Sequence, residues 1–151
     1  MKVAIATDHA GFEIKNALAD YLADLGYEVV DCGAFDNAAS YDYPDFALPA
    51  CEAVVSGNVD RGILVCMTGI GMSVAANKVK GIRAGLVFNT ESARLTREHN
   101  DTNVLVIPGK FMPMEEAKEA AQIWLSTAFS KEERHARRIA KITAIEDKYF
   151  K

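Results

Sequence analysis

Nothing in the bulk of this chain favours a nucleic acid, a membrane or an oxidising compartment. Acidic residues outnumber basic ones across its 151 residues, leaving a net charge of −4, so no global positive field draws polyanions. No apolar run approaches the ~20 residues that a membrane span needs. The start, Met1-Lys2-Val3-Ala4-Ile5-Ala6, is too short for the apolar part of a secretion signal and passes straight into Thr7-Asp8-His9. Three cysteines, Cys32, Cys51 and Cys66, show neither a pairing pattern nor metal-ligand spacing. A reducing cytoplasm is the expected setting. Linkers, repeats and low-complexity segments are missing too, so residues 1–151 read as a single domain. Half of the residues are apolar, enough for an ordinary core.

Strand and helix patterns alternate along that domain. Short apolar runs at 2–7, 27–32, 61–66, 83–88 and 103–107 read as strands. Helical spacing covers 12–25, 45–56, 69–78, 114–127 and a stretch from Asn89 or Thr90 to about Glu98. Gly26 stands where a helix C-terminus favours glycine. Ser130-Lys131-Glu132-Glu133 has the form of a capping box, which predicts a last helix over 131–147. Apolar strands joined by helices imply a five-stranded parallel sheet covered on both faces. The expected fold is a three-layer α/β/α sandwich of Rossmann-like kind.

The chemistry concentrates where the third strand meets the third helix, at Cys66-Met67-Thr68-Gly69-Ile70-Gly71-Met72-Ser73. Cys66 is either a small buried hydrophobe or a base or nucleophile beside a helix N-terminus, a position that favours thiolate. Three common loop motifs fail here. A dinucleotide fingerprint lacks its third glycine, because Val74 stands there. A Walker loop ends in Gly-Lys-Ser/Thr, whereas Gly71 is followed by Met72 and Ser73. A cysteine phosphatase loop needs arginine six residues after the cysteine, and that residue is Met72. What survives is a run of backbone N–H groups suited to an anion or a developing oxyanion.

Asp8-His9 ends the first strand on the same rim, as turn and cap or as part of a site. His99, near a helix end, is a dipole partner or a catalytic group. Arg134 and Arg138, with Lys141, form a cationic stripe, either a solvated face or a phosphate clamp. Asp42-Tyr43-Pro44 is a turn or a lid over a ligand.

Together these residues resemble the type B ribose-5-phosphate isomerases, a family that also contains galactose-6-phosphate isomerase subunits and allose-6-phosphate isomerases. The motifs are Asp8-His9-Ala10-Gly11-Phe12, Asp42-Tyr43-Pro44, the run from Cys66 to Lys78, Gly81-Ile82-Arg83-Ala84, His99-Asn100-Asp101-Thr102-Asn103 and Arg134-His135-x-x-Arg138. The resemblance implies an aldose–ketose isomerisation of a phosphorylated sugar through a cis-enediolate, with no metal and no cofactor. It implies Cys66 as the base, assisted by Thr68, and backbone amides of Gly69, Ile70, Gly71, Met72 and Ser73 around the enediolate oxygen. His99 then opens the sugar ring, helped by Asp8 and Tyr43. Asn100 binds hydroxyls, and His9, Arg134 and Arg138 hold the phosphate. Lys110 stands where many members carry a phosphate-touching arginine, and Met67 where they carry glycine. A homodimer, or a tetramer built from dimers, with sites shared at the interface is also implied, with helix 131–147 contributing to it. The expected sugar is ribose 5-phosphate. A hexose 6-phosphate, or a non-enzymatic phosphate- or nucleotide-binding module on the same fold, is the alternative.

Overall fold

The structure, a computed structural model, describes residues 1–151. Its centre is a sheet of β1 (Lys2–Thr7), β2 (Glu28–Asp31), β3 (Arg61–Cys66), β4 (Ala84–Leu86) and β5 (Val104–Pro108). All neighbours are parallel, in the order β2-β1-β3-β5-β4. Six helices complete it: α1 (Phe12–Asp24), α2 (Pro44–Val55), α3 (Ile70–Ala76), α4 (Thr90–Asn100), α5 (Met114–Ser126) and α6 (Glu133–Tyr149). This is the expected three-layer α/β/α arrangement.

The strands read as unbroken apolar runs because both faces are covered. On one face α1, α4 and α5 pack Leu18, Leu22, Ala93 and Trp124 against Ile5, Ile63 and Leu105. On the other, α2 and α3 pack Ala47, Cys51 and Met72 against Ala4, Leu64 and Val106. Trp124 is fully buried and its indole N–H donates to Thr102 Oγ1 at 2.9 Å. Truncating such a residue to alanine costs ~3–5 kcal/mol.

Sheet order also decides where a ligand can sit. From β1 the chain goes outward to β2, then returns to the other side of β1 as β3. In open α/β sheets the crevice outside the strand ends at such a reversal is the binding place. The pairing of Thr7 with Val65 sets Asp8 and Cys66 side by side at that crevice.

The last helix departs from its expected form. It spans 133–149, not 131–147, and the Ser130 capping box does not form. Lys131 adopts a left-handed conformation, φ 58°. The Ser130 N–H is tied to the Glu98 carbonyl at 3.1 Å, and its hydroxyl reaches only the Glu132 N–H at 3.3 Å. A capping box stands instead at the head of α4, where the Asn89 side chain accepts from the Ser92 N–H at 2.7 Å and Ser92 Oγ accepts in return. The same Ser92 hydroxyl takes the Phe88 N–H at 3.0 Å, and Asn103 Oδ1 takes that of Arg83 at 2.9 Å. These side-chain acceptors cut β4 down to 84–86 from the expected 83–88.

Candidate active site

Cys66 is the last residue of β3, and the chain turns sharply after it. Gly69 makes that turn with φ 74°, a left-handed conformation that costs glycine little and other residues more. The turn brings the Gly69 N–H to Cys66 Sγ at 3.2 Å. A sulfur bearing negative charge therefore has a donor in place. Thr68 Oγ1 accepts the Ile70 N–H at 3.2 Å, and the Ser73 N–H closes the first turn of α3 on the Gly69 carbonyl at 3.0 Å. The N–H groups of Gly71 and Met72 make no hydrogen bond within the chain, so they stay free for an oxyanion.

The Tyr43 ring lies against the α-carbon of Gly71. A Cβ there would sit 2.7 Å from the ring, so this approach needs glycine. Asp8 is buried and caps a short 3-10 turn at His9–Gly11, accepting the Ala10 N–H at 3.0 Å. His9 Nδ1 accepts the Tyr41 N–H at 3.0 Å. Lys110 joins the group through the loop after β5. Its N–H donates to the Met67 carbonyl at 2.9 Å, and that of Gly109 to the Cys66 carbonyl at 2.8 Å. Met67 has no positive φ, so it bears no backbone penalty at the position where resembling chains carry glycine. Its side chain is 51% exposed on the rim.

The other two cysteines resist ionisation. Burial pushes the Cys51 thiol up to about 12. Burial, then the neighbouring Asp31 carboxylate, raises that of Cys32. Both stay protonated at neutral pH.

The remaining expected residues lie elsewhere. His99 and Asn100 end α4, beside the starts of β4 and β5, where the Arg83 guanidinium donates to the Asn100 carbonyl at 3.1 Å. Arg134 and Arg138 stand on the first turns of α6. The His135 ring between them stacks on His99 with centroids 4.3 Å apart and planes 13° apart. Arg134 pairs with Glu132 at 2.9 Å, whereas Arg138 has no hydrogen bond or ion pair within the chain. Cys66 pairs with Pro108 at the far end of β5. A five-residue strand at ~3.3 Å per residue separates the two rims by roughly 15 Å.

No cavity of the single chain contains Cys66. One of about 450 Å³ lies on the His99 rim beneath α6, lined by Ile82, Asn100, Ile142 and Ile145 among others. Another of about 490 Å³ runs between α2 and α3 from Tyr43 to Val79. The Cys66 rim is an open shelf, edged by the exposed side chains of Met67, Ile70, Phe88 and Phe111. No group of three or more His, Cys, Asp or Glu side chains could hold a metal ion. No helix is long and apolar enough to cross a membrane.

Comparison with known proteins adds a lineage to this geometry. Residues 3–142 match the model of the Ribose/Galactose Isomerase family. The chain belongs to that family. It is 42% identical over 147 residues to ribose-5-phosphate isomerase B of Escherichia coli K12, covering 97% of both chains. It superposes on Clostridium thermocellum ribose-5-phosphate isomerase B with a TM-score of 0.95 at 48% identity, covering 99% of each chain. The Mycoplasma genitalium ribose-5-phosphate isomerase B, solved with bound ribulose-5-phosphate, aligns at 0.92 and 38%, covering 97% of this chain and 96% of that one.

Sequence reasoning gave no role to two residues of this isomerase's rims. His135 lies between the two arginines of the cationic stripe, yet only the fold shows it stacked on His99. Lys15 is 1% exposed, under the loop that leads to Tyr41. Its signal was present: Lys15, Leu18 and Leu22 share the inward stripe of α1, and lysine is foreign to such a stripe.

Proposed function

We propose that this isomerase interconverts ribose 5-phosphate and ribulose 5-phosphate, with Cys66 as the base. The observation that carries the reading is the Cys66 loop: a strand-end sulfur at the switch point, one N–H on it and two uncommitted N–H groups beside it. Abstraction of the proton at the second sugar carbon leaves a cis-enediolate. Its oxygen is met by the Gly71 and Met72 N–H groups, and preorganised donors of this kind contribute ~3–4 kcal/mol each. Thr68 fixes the loop. The proton returns at the first carbon, and Asp8 and Tyr43 assist its movement among the oxygens. His9, Lys110, Arg134 and Arg138 hold the phosphate, whose binding orients the reacting end.

Furanose ring opening by His99 and hydroxyl binding by Asn100 need the opposite rim. We therefore assign the complete site to a homodimer, in which one chain supplies the Cys66 rim and the other supplies His99, Asn100, Arg134 and Arg138. Three features support this assembly. The two residue sets sit at opposite ends of the sheet. The Cys66 shelf exposes apolar side chains of the kind that mark interfaces. Helix α6 carries Ile142, Ile145 and Tyr149 exposed, held to the body at His135 and by the Gly81 N–H to Glu146 at 2.8 Å.

Ketose formation from ribose 5-phosphate tests the reading, and absence of turnover on any pentose or hexose phosphate would sink it. A hexose 6-phosphate is the second reading, favoured by Met67 exposed beside the base. Relative turnover on ribose 5-phosphate, allose 6-phosphate and galactose 6-phosphate separates the two.

A further inference from the structure

A buried lysine that the chemistry does not use needs an explanation, because an unpaired ammonium in a protein interior is costly. Lys15 Nζ donates to Asp31 Oδ2 at 2.7 Å and to the Ala34 carbonyl at 2.9 Å. Phe12 and Phe35 flank it, with ring centroids 5.5 and 5.8 Å from the nitrogen. Asp31 Oδ1 in turn accepts the Gly33 N–H at 2.8 Å. The next link is backbone: the Thr7 N–H donates to the Gly33 carbonyl, and the Ala34 N–H to the Thr7 carbonyl, both at 2.7 Å. Lys15 thus ties the start of the loop over residues 33–41 to α1, beside the backbone bonds that join it to the end of β1, one residue before Asp8.

The far end of that loop lands on His9. Asp36 Oδ1 accepts from the Ala38 N–H at 3.0 Å and from the Tyr41 hydroxyl. The Tyr41 ring packs edge-on against Phe46. With the loop held so, the Tyr41 N–H points at His9 Nδ1 at 3.0 Å. A donor at Nδ1 requires that nitrogen to be the unprotonated one, so the ring proton of the neutral imidazole sits on Nε2.

We propose that Lys15 is a positioning residue: through the loop over 33–41 it keeps the Tyr41 N–H on His9 Nδ1, and so presents His9 to the phosphate as a single-tautomer Nε2–H donor. This rests on the isomerase reading for the phosphate, while the tautomer stands apart from it. The ion pair sits at the beginning of the loop and the histidine at its end. Lys15 therefore acts on substrate binding and not on the proton transfer at Cys66.

The test is Lys15→Met in the full-length protein, a swap that fills the same space without charge. Replacing a buried ion pair by an apolar group of similar size is often tolerated. The Asp31 carboxylate is partly exposed and can turn to water. The expected result is a KM for ribose 5-phosphate raised roughly tenfold, the loss of one charge-assisted hydrogen bond, with kcat within about twofold. In ¹⁵N spectra the His9 ring nitrogens, assigned by comparison with His9→Gln, should show an unprotonated Nδ1 and a protonated Nε2 in the parent. In the variant they should move toward each other. A merely structural cross-link would lower the melting temperature and leave both readouts alone, which overturns the proposal. So does a fall in kcat at unchanged KM. Should Lys15→Met fail to fold, Asp36→Asn on the exposed part of the loop decides. A KM increase of about threefold with the same nitrogen shifts supports the proposal, and an unchanged KM and spectrum overturns it. If the parent turns over no sugar phosphate, the isomerase reading fails, and the ¹⁵N comparison still decides whether the loop sets the His9 tautomer.

Discussion

The two rims of the sheet are built from different materials. Around the sulfur of the Cys66 rim the groups are backbone N–H donors and short side chains fixed within the chain: Gly69 to the sulfur, Thr68 to Ile70, Asp8 to Ala10, with the His9 ring held by the Tyr41 N–H. On the His99 rim they are long or ring side chains at helix ends, and Arg138 has no partner within its own chain. A transition state that develops charge at one oxygen favours the first kind, because fixed dipoles need no reorganisation as charge appears. A ring to be opened and a phosphate to be gripped suit the second, where reach and charge matter more than fixity. The proposed phosphate grip draws on both, with His9 and Lys110 from the first rim and Arg134 and Arg138 from the second.

Removal of the proposed base should give the largest effect. Cys66→Ala is expected to lower solvent proton exchange at the second sugar carbon by roughly 10³-fold, with substrate binding by calorimetry nearly unchanged. Exchange that persists would move the base elsewhere. On the other rim the expected loss is in grip: Arg138→Ala should raise KM for ribose 5-phosphate by roughly 10-fold at similar kcat. A fall in kcat alone would erase the division of labour between the rims. Met67→Gly should change the ratio of turnover on pentose to hexose phosphates by a few-fold, about the worth of one apolar contact. A constant ratio would make Met67 a bystander.

The smallest effect concerns stability. Burial, then the adjacent His99 and Arg134, holds the His135 imidazole below its ordinary value of 6.5. The folded chain therefore resists protonation more than the unfolded one. Its contribution to stability is fully present above that ordinary value and is lost as pH falls from there through the lowered value of the folded chain. The melting temperature should drop as pH falls below about 6.5, and His135→Phe, which keeps a ring on His99, should flatten the drop. An equal drop in both proteins would mean that another group titrates.

Much of the Cys66 rim was legible in the sequence because strand, turn and helix follow one another within a dozen residues there. The glycines that make the turn and admit Tyr43 stand in the same segment. The His99 rim was less so. Its residues come from two helices brought together by a ring stack that no local pattern announces, and the start of α6 differs from its sequence pattern because Ser130 bonds to Glu98 rather than to its own helix. Distance between the rims was not readable from the residues themselves: a motif states which residues belong together, not whether they belong together in one chain, and only the family resemblance implied a site shared between two. Lys15 shows the converse. Its misfit in an apolar stripe is visible in the sequence, but its partner lies 16 residues away at a strand end.

Mixing two inactive variants tests the shared site most directly. Cys66→Ala and His99→Asn are each expected to be inactive. In the proposed dimer, a mixed pair has one site with both defects and one with neither. After subunit exchange of equal amounts, half the dimers are mixed, so about a quarter of parental activity should return. No recovery, with mixed dimers demonstrated by mass spectrometry, would contradict a site divided between two chains.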